Sequence, residues 1–156
     1  DTNVTTFRTG SGVNLDNFAL LKTVATTSGT SVVAGSLVLT AYQSLIVYAD
    51  DVGCAAGGSK FQWKETGGSN SVISYINVTA SAPYYGVLNH NLITGVTGIN
   101  SSSSNSGNGT ANLDLAAGSG GCGTNTAIDV NTTSITFSTV GGQTFNRGQI
   151  LIYGLK

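Results

Sequence analysis

Residues 134–156 read SITFSTVGGQTFNRGQILIYGLK, from Ser134 to Lys156. Ser134-Ile135-Thr136-Phe137-Ser138 alternates polar and apolar, the period of a strand buried on one face. Gly141-Gly142 interrupts it. Thr144 to Gln149 reads as a turn, because Gly148 has no Cβ and enters positive φ at little cost. Gln149 to Leu155 is a second strand, with Ile150, Ile152 and Tyr153 as its apolar residues. Lys156 adds a charge that discourages further strand addition. The segment therefore predicts two strands joined by a turn, the second lying within a sheet.

The same pattern recurs upstream. Ser44 to Ala49 is a continuous apolar run suited to a core strand. Lys60-Phe61-Gln62-Trp63-Lys64 alternates, with Phe61 and Trp63 on one face assigned to the core. Ser71 to Val78 is strand-like on both faces. Gly53–Ser59, Gly67–Asn70, Gly141-Gly142 and Asn146–Gly148 punctuate these runs. Short strands parted by glycine-rich turns predict an all-β protein, an antiparallel β-sandwich of jelly-roll type. Residues 1–12 are polar and read as an N-terminal arm, with 13–156 as a single domain. A short helix is expected over Asp16 to Val24, capped by Asp16, with Phe18, Leu20 and Leu21 inward. Asn100 to Gly109, almost all Ser, Asn and Gly, is expected to be a long exposed loop.

Composition narrows the function. Only 8% of the 156 residues are charged and the net charge is -1, against roughly 25% charged in an average soluble protein. The polar surface is therefore built of hydroxyl and amide groups. It offers neither the basic patch that nucleic acid requires nor a polybasic segment for anionic lipid, so neither nucleic-acid binding nor membrane insertion is expected. Low net charge leaves little repulsion between copies and favours association. No apolar run reaches the ~18 residues of a membrane-spanning helix.

Residues capable of chemistry are scattered. Gly118 to Gly123 satisfies G-x-G-x-x-G, but the strand-like Thr124 to Val130 follows where a dinucleotide site needs a helix. Asp50-Asp51 is the one adjacent carboxylate pair. On a strand its members point to opposite faces and cannot flank one sugar ring; a turn, or a weak Ca²⁺ site with backbone oxygens of Val52 or Gly53, are the other readings. His90, the single histidine, has no G-x-S-x-G elbow to partner it and is assigned to an exposed or interface position. Cys54 and Cys122 either form one disulfide or remain thiols. Tyr84 and Tyr85 follow Pro83 as loop anchors or as a stacking contact for a glycan. Five N-x-[ST] sequons, beginning at Asn3, Asn77, Asn100, Asn108 and Asn131, matter only in a glycosylating host. No catalytic residue, metal ligand or cofactor is expected.

The final segment resembles the ending of small virion proteins of tailed bacteriophages, roughly Phe-x-x-Gly-x-Ile-x-Leu-Tyr-Gly-Ile-Lys. Phe145, Gly148, Ile150, Ile152, Tyr153, Gly154, Leu155 and Lys156 fall on that pattern. The run-up TNTAIDVNTTSITFSTVGGQTF is similar to its usual approach, and Ala41-Tyr42-Gln43-Ser44-Leu45 is a weaker match. The resemblance covers about a fifth of the chain and nothing between Gly53 and Gly123. It implies a β-sandwich of the virion: a capsid decoration or cement protein, a head fibre or a tail component. It implies subunit contacts rather than catalysis, a homo-oligomer with a trimer favoured, a major capsid or tail protein as partner, and a place on the particle surface. Two other readings are a carbohydrate- or receptor-binding module that meets a host surface glycan through Tyr84 and Tyr85, and an extracellular adhesive filament subunit completed by its neighbour's N-terminal strand.

Overall fold

The computed structural model describes residues 17–55, 59–68, 72–78, 84–103, 122–124, 128–139 and 141–156. The expected arm, residues 1–12, lies outside the described residues, as does most of the G-x-G-x-x-G segment. Among the described residues ten strands follow one another: β1 Phe18–Ala25, β2 Ser31–Gly35, β3 Ser44–Cys54, β4 Ser59–Glu65, β5 Val72–Val78, β6 Tyr84–Asn91, β7 Val96–Ser103, β8 Cys122–Thr124, β9 Ser134–Thr139 and β10 Phe145–Leu155. They form two antiparallel sheets, ordered β1-β10-β3-β6-β7-β8 and β2-β9-β4-β5. The sheets pack face to face as a β-sandwich, as the strand periodicity predicts.

The pairing is nested. β1 pairs with β10, β2 with β9, β3 with β6 and β4 with β5. Four strands going out are thus matched by four coming back, and β7 and β8 extend the first sheet beyond β6.

Inward residues of both sheets make one core. Leu45, Val47, Ala49, Leu88, Ile150 and Ile152 come from the first sheet, and Ala34, Phe61, Trp63, Ile135 and Phe137 from the second. Phe61 and Trp63 are core residues, as their alternation predicts. A row of rings crosses this core. Tyr84 stacks on Phe61 at 5.3 Å, Phe61 on Phe137 at 5.9 Å and Phe137 on Trp63 at 6.1 Å, while Trp63 meets His90 edge-on at 5.5 Å. Offset and edge-to-face contacts are the geometries that the ring quadrupole favours.

Three expectations are corrected. The helix over Asp16 to Val24 is strand β1. Its pairing with β10 shifts register between Leu20 and Lys22, so the apolar spacing of a bulged strand imitates that of a helix. The two strands read from residues 134–156 are present as β9 and β10, and they lie in opposite sheets. The segment Thr144 to Gln149 is no turn: from Phe145 it belongs to β10, and Gly148, at φ +89°, sits in an irregular stretch of the ladder to β3. Finally, Asn100 to Ser103 of the low-complexity tract are paired with β6.

β10 is an interior strand, flanked by β1 and β3. Its Gly154 is needed for packing, because a Cβ there would collide with the Tyr42 ring that covers it.

Candidate interaction surface

The outward face of the six-stranded sheet departs from the usual polar exterior of an antiparallel sandwich. Along β3 the buried residues Leu45, Val47 and Ala49 alternate with the half-buried Ile46 and Tyr48. Along β10, Ile150 and Ile152 alternate with Leu151 and Tyr153. Strand register aligns these outward residues in rows. One row is Leu20, Tyr153, Ile46 and Asn89; the next is Thr23, Leu151, Tyr48 and Val87. Phe18 and Leu155 begin the face beside Ser44. Phe18, Leu20 and Leu155 are 42%, 53% and 39% exposed, and Phe18 stacks on Tyr153 at 4.7 Å. The centre of the face carries no charged residue. A contiguous apolar patch with a polar rim is the usual mark of an interaction site.

The charges stand at one end of this face, where β3 and β10 are both irregular. Asp51 has φ +56°, a left-handed conformation that Asp tolerates better than most residues. Arg147 donates from Nη2 and Nε to the two carboxylate oxygens of Asp51, at 2.6 and 3.0 Å. The Tyr85 hydroxyl donates to the same carboxylate at 2.8 Å. The Arg147 bonds, then that of Tyr85, hold Asp51 below the usual carboxylate range, and the Tyr85 hydroxyl is raised in turn by its bond to Asp51. Asp50 accepts from Gln149 Nε2 at 3.1 Å. The Asp50-Asp51 pair is therefore engaged within the sheet. Asp51 in particular meets a guanidinium where the Ca²⁺ reading would place a cation, and no group of three metal-ligating side chains occurs among the described residues.

The remaining predicted site residues separate. His90 is not exposed; it is fully buried. Its Nε2 donates to the Ile128 carbonyl at 2.7 Å, which leaves Nδ1 to accept from the Thr97 hydroxyl at 2.7 Å. Desolvation pushes its pKa below the ordinary value, opposed by the Ile128 bond. Tyr84 is fully buried in the ring row and cannot meet a glycan. Tyr85, its neighbour on the opposite face, is half-buried and tied to Asp51. Cys54 is buried at the end of β3, whereas Cys122 on β8 is in register with Gly98, and through Gly98 and Asn89 with Ile46 at the other end of β3. Three inter-strand steps of about 4.8 Å lie between them, beyond the roughly 7 Å limit on Cα separation in a disulfide.

A shallow groove of about 340 Å³ lies where the β6–β7 connection meets Ile128–Val130, lined by Leu92, Ile93 and Asp129. It holds no convergent set of acid, base and nucleophile. No helix among the described residues is long and apolar enough to cross a membrane.

The apolar face was missed at the sequence level although its residues were visible. Ile46 and Tyr48 read as part of a core strand, Tyr153 only as an apolar side of the last strand, and Leu151 drew no reading, because an apolar strand does not declare which of its faces is covered. Comparison with protein-family models, curated proteins and solved structures finds no match.

Proposed function

We propose that this chain is a structural component of a tailed-bacteriophage particle, a decoration, cement, fibre or tail protein that works by subunit contacts without catalysis. The observation that carries the reading is positional. The segment resembling phage virion proteins is β10, which runs between β1 and β3 through the apolar outer face. Its residues Leu151, Tyr153 and Leu155 supply much of that face. The low charge of the chain supports the same reading, because crowded identical copies then meet without strong repulsion. The nested strand pairing supports jelly-roll winding as the finer description of the sandwich.

The natural partners on this reading are further copies of the chain and a major capsid or tail protein. The glycan-binding alternative loses half of its aromatic platform to the burial of Tyr84. The test is immunogold labelling of purified particles from the source material with an antibody to this chain. Label arrayed on capsids or tails is expected. Label confined to cell surfaces or to free protein would sink the reading.

A further inference from the structure

We infer that the turn 128–132 is an acid-released flap: at neutral pH the buried ring of His90 latches it to the sandwich, and uptake of one proton by that ring lifts it. The inference goes beyond the structural-protein reading and does not depend on it.

The latch is a neutral imidazole. A carbonyl only accepts, so Nε2 carries the proton given to Ile128, and Nδ1 accepts from the Thr97 hydroxyl, each at 2.7 Å. One ring thereby ties β6, β7 and the turn together. A second proton would sit on Nδ1, facing the Thr97 oxygen, and would place a full charge in the core. No carboxylate is bonded there to balance it. Trp63 meets the ring edge-on from β4, and Leu45 lies beside it on β3. β6 and β7 carry no charged residue. On β4, Lys64 is in the outward phase and Glu65 ends the strand two residues beyond Trp63. On the turn, the Asp129 carboxylate accepts from the Asn131 N–H at 2.7 Å. Both ring nitrogens are already taken, so neither carboxylate bonds the ring. Asp50 and Asp51 stand at the far end of β3. Burial outweighs the Ile128 bond, and the ring's pKa lies below the ordinary 6.5.

A buried charge is relieved by admitting water, and the turn is the part of the wall built to give way. Its bonds are largely its own. The Asp129 N–H donates to the Thr132 hydroxyl at 3.1 Å and the Thr132 N–H to the Asp129 carbonyl at 3.1 Å. It therefore moves as a unit without losing them. Ile128 is held by the His90 bond and by its own burial. Just past the turn, the Leu37 N–H donates to the Thr133 carbonyl at 2.9 Å and serves as the pivot. The groove of about 340 Å³ already parts the turn from Leu92, Ile93 and Gly95 of the β6–β7 connection. β6 and β7, by contrast, are held along their length by the ladders of the sheet. Locally opening units are drawn from such weakly anchored pieces. In the open form the ring is solvated and binds the proton more tightly than in the closed form. The closed form is therefore favoured above about pH 6.5, and below it opening gains by up to about tenfold per pH unit.

Trp63, the single tryptophan of the chain, is fully buried against the latch and reports its opening. The test is acrylamide quenching of its fluorescence in the full chain from about pH 7.5 to about pH 4.5, with circular dichroism alongside. Hydrogen-exchange mass spectrometry, corrected for the intrinsic pH dependence of exchange, locates the opening. Quenching should rise below about pH 6.5 while the circular dichroism stays native. Exchange should quicken in peptides covering 128–133 and 90–95 and not in those covering β10. His90→Gln keeps an N–H for the Ile128 carbonyl and an oxygen for Thr97 but does not titrate, so its quenching should be flat over the same range. In the wild type the His90 ring proton, followed by NMR, should titrate with the midpoint of the quenching curve, which tests the latch without any variant. Quenching that stays flat in the wild type, or that rises only as the circular dichroism is lost, would overturn the inference. So would exchange that quickens first elsewhere, an equal rise in His90→Gln, or a ring titration with a different midpoint.

Discussion

Asp51 and Gly148 lie against each other across the β3–β10 ladder, both in left-handed backbone conformations, φ +56° and +89°. A Cβ on Gly148 would run into the carbonyls of Asp51 and Asp50. The two irregularities are a matched pair. Before the break, β3 buries Leu45, Val47 and Ala49; after it, Val52 and Cys54. β10 buries Phe145 first and then Ile150 and Ile152. Each strand therefore changes phase at the same level of the sheet. An extra residue in a strand reverses which side chains face inward, and a second one in the partner lets both strands keep a single core.

Gly148→Ala tests this pairing. The substitution adds left-handed strain and a backbone collision, so a loss of at least about 2 kcal/mol is expected. Urea unfolding measures it. A loss no greater than that of Gly142→Ala, where φ is +63° but nothing stands within 4 Å of the added Cβ, would show that the ladder yields easily.

The irregular stretch of β10 is supported from the side of β1. Thr26 is fully buried; its hydroxyl donates to the Arg147 carbonyl at 2.7 Å and its N–H to the Gly148 carbonyl at 2.9 Å. Thr26→Val keeps the shape and removes the hydroxyl. The Arg147 carbonyl then loses that bond, at a cost of about 1–3 kcal/mol. A thermal melt unchanged from wild type would place the support elsewhere.

The Asp51–Arg147 pair is bidentate but partly exposed, with side-chain accessibilities of 34% and 44%. A double-mutant cycle with Asp51→Asn and Arg147→Gln should give a coupling of roughly 0.2–1 kcal/mol, reduced in high salt. The pKa of Asp51 is lowered in the folded chain. Its stabilising contribution is therefore complete above the unfolded value, near 3.8, and is lost as pH falls through the lower folded value. The wild type should lose stability there more steeply than Asp51→Asn. Identical acid limbs would mean that the carboxylate gains nothing from its partners.

His90 gives a second, separate pH window. Its folded pKa lies below the ordinary 6.5 because burial disfavours the imidazolium. The unfolded chain thus takes up a proton first as pH falls. Stability is complete above about 6.5 and declines below it towards the folded pKa, by at most about 1.4 kcal/mol per pH unit. Denaturant melts between pH 7.5 and 5 should show this slope in the wild type and not in His90→Gln, which will be less stable throughout. Parallel curves would contradict the burial of a neutral ring.

Much of this protein is legible in its sequence because the period of a strand is local. Lys60 to Lys64 and Ser134 to Thr139 announce their inward residues by simple alternation, since neighbouring side chains on a strand must point to opposite faces. The ring row was half visible, in Phe61 and Trp63. Composition also carried weight: so few charges leave a polar surface of hydroxyls and amides. Local alternation ends at every bulge, however. Phe18, Leu20 and Leu21 looked helical because β1 gains a residue near Leu21, and the phase changes of β3 and β10 hide which residues share the core. Sheet membership is equally non-local. Only the tertiary pairing sends β9 and β10 to opposite layers, buries His90 and Tyr84, and leaves the apolar outer residues of β3 and β10 half-buried rather than in the core. A side chain is inside or outside according to what another strand, distant in sequence, lays over it.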